Sequence, residues 1–186
     1  MLRIITGTAK GKRIQTLEGE ATRPTSERIK EALFSSIQFD IEDRRVLDLF
    51  AGSGQLGLEA LSRGAASASF VDSEREAMEI VKSNARTTGF FDKCRYIVSD
   101  WRNYIRKASG KDKYDLVFVD PPYSMECCRD AAVRLAESGI LASGAIVVLE
   151  SGTEEFDPAE IAGFEVMKST RYGKKTTLNV MLYRGV

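Results

Sequence analysis

The sequence predicts an α/β domain built on a mostly parallel sheet, and three observations carry that expectation. Short apolar runs, each closed by a polar or glycine residue, alternate with amphipathic stretches between Val46 and Glu150. A glycine-rich turn, Asp48-Leu49-Phe50-Ala51-Gly52-Ser53-Gly54-Gln55-Leu56-Gly57, follows the first of these runs and opens a helix. At 186 residues the chain is long enough for one well-filled core and short for two.

In chain order, Leu2 to Thr6 and Lys12 to Thr16 read as a hairpin across Gly7 to Gly11, too small to fold alone. The expected division is therefore an extension over 1–22 and a main domain over 23–186. Arg23-Pro24-Thr25-Ser26 leads into a helix from Glu27 to Ile37, with Ile29, Leu33, Phe34 and Ile37 on one stripe and Thr25 or Ser26 as N-cap. Strands follow at 46–50, 68–72, 94–98, 115–120 and 145–150, separated by helices at 54–63, 73–88, 101–108 and 127–138. Repeated βα units predict parallel strands covered on both faces. The pattern then changes: 164–170 and 176–184 read as two strands joined around Tyr172-Gly173-Lys174, an antiparallel pair at one edge of the sheet.

Composition narrows the chemistry. Hydrophobic content of 43% with 29% charged residues is that of a soluble globular protein, and no apolar run reaches the roughly 20 residues of a membrane span. The opening MLRIITGTAKGK lacks an apolar stretch followed by a small-residue cleavage site, so no signal peptide is expected and the cytoplasm is the expected compartment. Cys94, Cys127 and Cys128 cannot make a disulfide framework and read as small buried hydrophobes. With no histidine and three cysteines, no metal site is expected, and general-base or nucleophilic chemistry through imidazole is excluded. Net charge is zero, yet Arg3, Lys10, Lys12, Arg13, Arg23, Arg28 and Lys30 crowd the first thirty residues. Lys168, Arg171, Lys174, Lys175 and Arg184 occupy an acid-free C-terminal stretch. Brought onto one face, the two basic ends would suit a phosphate backbone; apart, each is a solvated surface.

The glycine turn alone fits two nucleotide cofactors. In a dinucleotide site the first glycine follows its strand almost directly, and a pyrophosphate sits on the helix N-terminus. Here Asp48 ends the strand and Leu-Phe-Ala precedes Gly52. A carboxylate there suits a ligand presenting an ammonium group, as S-adenosylmethionine does. Gly52 and Gly54 permit close backbone approach, while Gly57 reads as a helix–strand packing position. Asp72, ending the second strand, suits a ribose diol in either cofactor. Asp100 suits an adenine amino group or a helix N-cap.

Asp120-Pro121-Pro122-Tyr123 separates the two. Two prolines after a buried strand fix an extended path and remove two N–H donors, leaving carbonyls beside a carboxylate. An acceptor-only site suits an exocyclic NH₂ on a base, with the Tyr123 ring available to stack.

With both motifs in hand, the chain resembles the RsmD family of 16S rRNA guanine-N2 methyltransferases. DLFAGSG followed by DPPY is the motif pair of amino-group methyltransferases that use S-adenosylmethionine; the opening RIITGTAKGKRI and RPTSERIKEALFSSI carry the family-specific part. Many members carry Phe at the place of Tyr123. The resemblance implies a Rossmann-like class I sheet of seven strands with an antiparallel last strand and a small N-terminal β-hairpin. It implies catalysis by Asp120, Pro121, Pro122 and Tyr123. The expected cofactor set is Asp48, Phe50, Ala51, Gly52, Ser53, Gly54, Asp72, Asp100, Trp101 and Thr25. The expected RNA set is Lys10, Lys12, Arg13, Arg23, Arg28, Lys174 and Lys175. The implied substrate is a guanine of 16S rRNA in the small subunit or an assembly intermediate, modified by a monomer. A DNA adenine-N6 methyltransferase would need a target-recognition region for which the chain has no spare segment; a catalytically silent RNA-binding assembly factor remains the other alternative.

Overall fold

A computed structural model describes residues 2–17, 24–122, 125–152, 156–174 and 176–186, with 24–26 described as backbone. The chain divides into two compact units, Met1–Ser99 and Asp100–Val186.

In the first unit, β1 (Leu2–Arg3) and β2 (Arg13–Ile14) pair antiparallel, Leu2 opposite Ile14. The strands are shorter than the sequence suggests because the N–H groups of Ile5 and Thr6 are taken by the Glu59 carboxylate instead of by a strand. Helix α1 (Pro24–Ser36) starts three residues earlier than expected, so Thr25 and Ser26 lie within it and do not cap it. The fixed φ of proline suits the first helical position. Ile29, Leu33 and Phe34 are buried on it, as the stripe requires.

Then β3 (Arg45–Asp48), α2 (Gln55–Ser62), β4 (Ser67–Asp72), α3 (Arg75–Thr88) and β5 (Cys94–Val98) alternate. The three strands are parallel, Val46 opposite Ala68 and Phe70 opposite Tyr96. Helix α2 packs on β3 and β4, and α3 on β4 and β5, burying Leu58, Phe70, Met78 and Val81.

The second unit contains α4 (Trp101–Ala108), β6 (Tyr114–Val119), α5 (Cys128–Glu137), β7 (Leu141–Ser151), β8 (Phe164–Tyr172) and β9 (Thr176–Tyr183). Strands β6 and β7 are parallel; β9 runs antiparallel to both β7 and β8. The seven strands run in the order β5-β4-β3 in the first unit and β6-β7-β9-β8 in the second, with the antiparallel pair at one edge as expected. Among the described residues no helix is long and apolar enough to cross a membrane.

Candidate functional site

The glycine loop is built at the end of β3. Ala51 N–H donates to the Val71 carbonyl at 2.9 Å, tying the loop to β4, and Gly52 and Gly54 adopt φ of 51° and 78°. These are left-handed conformations that any residue with a Cβ adopts at a cost. Asp48, 1% exposed, accepts the Gly57 N–H on Oδ2 at 3.0 Å. A carboxylate against the first turn of α2 takes up one of its orphan donors and opposes the positive end of the helix. Gly57 is there for packing: a Cβ on it would lie 2.4 Å from the Phe70 ring.

Asp72 braces the same loop. Oδ2 accepts the Gly52 N–H and Oδ1 the Glu74 N–H, both at 2.9 Å. A carboxylate offers about four lone-pair sites, so the side chain can still accept from two hydroxyls. Ser53 is 1% exposed, and its Oγ has no hydrogen-bond partner among the described residues. A buried hydroxyl left so costs about 1–3 kcal/mol, which fits a loop completed by a polar ligand. Phe50 is half-buried and Ala51 buried beside it.

In the second unit, buried Val119 ends β6 and half-buried Asp120 follows. Pro121 is buried and Pro122 exposed. The Pro122 carbonyl, expected as an acceptor beside the carboxylate, already accepts the Met125 N–H at 2.8 Å. Tyr123 lies outside the described residues. Asp100 is the N-cap of α4, with Oδ1 accepting from the Arg102 and Asn103 N–H groups at 2.9 and 3.1 Å. Trp101 is buried beneath the Arg102 guanidinium, 4.3 Å from the ring centroid. A cleft of about 360 Å³ between α4 and α5, lined by Arg102, Arg106 and Arg134 among others, includes none of the residues expected at the site.

Of the expected RNA set, Lys10, Arg13, Arg28 and Lys174 are exposed. Lys12 is exposed too, but its Nζ donates to the Thr88 carbonyl at 3.2 Å, at the C-terminal end of α3. Arg23, Lys175 and the Thr25 side chain lie outside the described residues. Among the described residues, no group of acidic, cysteine or histidine side chains could hold a metal ion.

Two sets of buried polar side chains escaped the sequence reading. Glu59, 0% exposed, accepts from Ile5 N–H, Thr6 N–H and Arg63 Nε at 2.8 to 3.0 Å, and Lys30 Nζ lies 3.8 Å away. Burial pulls the Lys30 ammonium below its usual range, with Glu59 and Glu27 pulling it back. Ser62 completes the dock: its Oγ donates to the Thr6 carbonyl at 2.6 Å and accepts the Ala9 N–H at 3.0 Å. The other is Asn84 on α3, which bonds to both Gln15 and Ser53.

The family model described as conserved hypothetical protein 95 matches residues 2–181. Ribosomal RNA small subunit methyltransferase D of Escherichia coli K12 is 32% identical over 173 residues, covering 93% of this chain and 86% of that protein. YlbH of Bacillus subtilis, provisionally named an rRNA methyltransferase, is 32% identical over 173 residues, covering 92% and 94%. A solved Escherichia coli structure, provisionally described as a methyltransferase, superposes with a TM-score of 0.86 at 30% identity, covering 100% of this chain and 99% of that one.

Proposed function

The chain belongs to the conserved hypothetical protein 95 family, and we propose that it is an rRNA methyltransferase that uses S-adenosylmethionine and modifies the exocyclic N2 of a guanine in 16S rRNA. The observation that carries the chemistry is Asp120 followed by two prolines at the end of the buried strand β6, an acceptor-rich segment suited to an amino group. The rRNA substrate is supported by the names of the relatives.

S-adenosylmethionine supplies an electrophilic methyl group. Asp72 would accept from the ribose hydroxyls of the bound cofactor while holding Gly52 N–H. Asp48 acts through the loop, since Oδ2 is occupied by Gly57 N–H; its buried negative charge favours an ammonium bound beside the loop. The Ser53 hydroxyl, without a partner among the described residues, would gain one.

The guanine N2 lone pair is delocalised into the ring and is a poor nucleophile. Accepting its hydrogens on Asp120 and the Pro121 carbonyl draws electron density onto nitrogen as positive charge develops, a preorganised electrostatic effect. As the bound cofactor gave up its methyl group to the N2 lone pair, Asp120 or water would take the N2 proton. No imidazole is required, in keeping with a chain that has no histidine. A guanine held in folded RNA must be turned out of its stack to react, and Tyr123 supplies a stacking face for it. Lys10, Arg13, Arg28 and Lys174 contact phosphates and position the RNA without reading its sequence. Incubation with small subunits and S-adenosylmethionine, followed by nuclease digestion and mass spectrometry, tests the reading. N2-methylguanosine is expected; a different methylated nucleoside would refute the target.

A further inference from the structure

Asn84 lies on α3 with 1% of its surface exposed, and every hydrogen of its carboxamide is engaged. Its Oδ1 accepts the Gln15 N–H at 2.8 Å. Its Nδ2 donates to the Gln15 carbonyl at 3.0 Å and to the Ser53 carbonyl at 2.9 Å. Toward Gln15 the amide therefore behaves as a strand neighbour would, satisfying both backbone groups of one residue. Toward Ser53 it holds the carbonyl between Gly52 and Gly54, the two left-handed positions that shape the loop. One side chain thus joins the exit of the N-terminal hairpin to the loop assigned to the cofactor.

The rest of the hairpin is held differently. Ile5, Thr6 and Ala9 are docked on α2 through Glu59 and Ser62, by bonds that involve no loop residue. The exposed cations Lys10 and Arg13 precede Gln15 by five and two positions. A ligand that steadied the loop would also steady the Ser53 carbonyl on Nδ2, and through the same amide the Gln15 backbone and the segment that carries those cations.

We propose that Asn84 is a positioning residue that couples the cofactor loop to the N-terminal segment, so that cofactor binding and RNA binding each strengthen the other. The inference rests on the methyltransferase reading above. Because coupling between two sites is reciprocal, the same factor appears whichever ligand is added first. A merely structural asparagine would move stability and leave that factor alone.

The test is the affinity of the full chain for S-adenosylhomocysteine, measured by calorimetry with and without 16S rRNA, alongside thermal denaturation. In the wild type, RNA should tighten binding by about 5-fold or more, a typical coupling factor. Asn84→Asp keeps an acceptor for Gln15 N–H but loses both donors, and should bring the factor to near 1. Gln15→Pro removes the N–H from the other side, at a residue whose side chain is exposed, and should do the same; it decides the matter if Asn84→Asp does not fold. Ser62→Ala, which loosens the hairpin away from the loop, should melt earlier with the coupling intact. A folded Gln15→Pro protein with wild-type coupling would overturn the inference, as would a wild type that binds S-adenosylhomocysteine equally with and without RNA. A wild type blind to S-adenosylhomocysteine would overturn the methyltransferase reading, and this inference with it.

Discussion

Gly57 N–H donates to Asp48 Oδ2 at 3.0 Å, closing the glycine loop onto the strand it leaves. The carboxylate therefore has two separable roles, an acceptor for the helix and a buried charge. Asp48→Asn keeps an acceptor and loses the charge: the protein should melt within a few degrees of wild type while its affinity for S-adenosylhomocysteine falls about 10-fold, the worth of a charge-assisted interaction. Asp48→Ala should lose both. Calorimetry and thermal denaturation on the same samples separate the two roles.

Gly57 itself tolerates no side chain. A Cβ would lie 2.4 and 2.7 Å from two atoms of the Phe70 ring, which is fully buried. Gly57→Ala should destabilise the protein by about 1–3 kcal/mol, as overpacking in cores does. The midpoint of urea unfolding checks it.

The cysteines should be inert in the native protein. Burial pushes the Cys94 thiol from about 9 up to about 11, against an opposing hydrogen bond from Tyr96, and Cys127 and Cys128 are 2% and 1% exposed. Iodoacetamide at pH 8 should alkylate all three in guanidinium and almost none without it. Because the folded-state pKa of Cys94 is raised, its contribution to stability is complete below about pH 9 and declines as pH rises toward 11. Rapid native alkylation of Cys94 at pH 8 would contradict this.

The basic hairpin residues should divide by partner. Lys10→Glu and Arg13→Glu should each flatten the salt dependence of rRNA binding by roughly 0.7 to 0.9 in slope per lost phosphate contact, leaving thermal stability near wild type. Lys12→Glu should also lower the melting temperature, because Lys12 Nζ bonds the Thr88 carbonyl at the end of α3. Filter binding across a salt series, with melting curves, distinguishes them.

Much of the fold was legible because β3, β4 and β6 are largely buried and read as apolar runs. Cys94–Val98 and Trp101–Ala108 agree with expectation residue for residue. The short hairpin was not legible, since Glu59 takes backbone donors that a longer strand would have used; the only sign was a carboxylate in the middle of the apolar helix Gln55–Ser62. The early start of α1 had a sign as well, proline at a first-turn position. Asn84 had none, because its partners lie 69 and 31 positions away along the chain. The motifs DLFAGSG and DPPY drew attention to their two segments, but did not show that Asp48 would be occupied by its own helix or that the Pro122 carbonyl would accept the Met125 N–H.

The most direct test of the central claim is transfer of tritiated methyl from S-adenosylmethionine to small subunits, naked 16S rRNA and duplex DNA, by the wild type and by Asp120→Ala. Label should enter small subunits or 16S rRNA and not duplex DNA. Asp120→Ala should lower kcat by about 10²- to 10³-fold, the loss expected for one preorganised hydrogen bond to the reacting group, with little change in S-adenosylhomocysteine affinity. Label in duplex DNA alone, or an Asp120→Ala protein that methylates small subunits at the wild-type rate, would contradict the account.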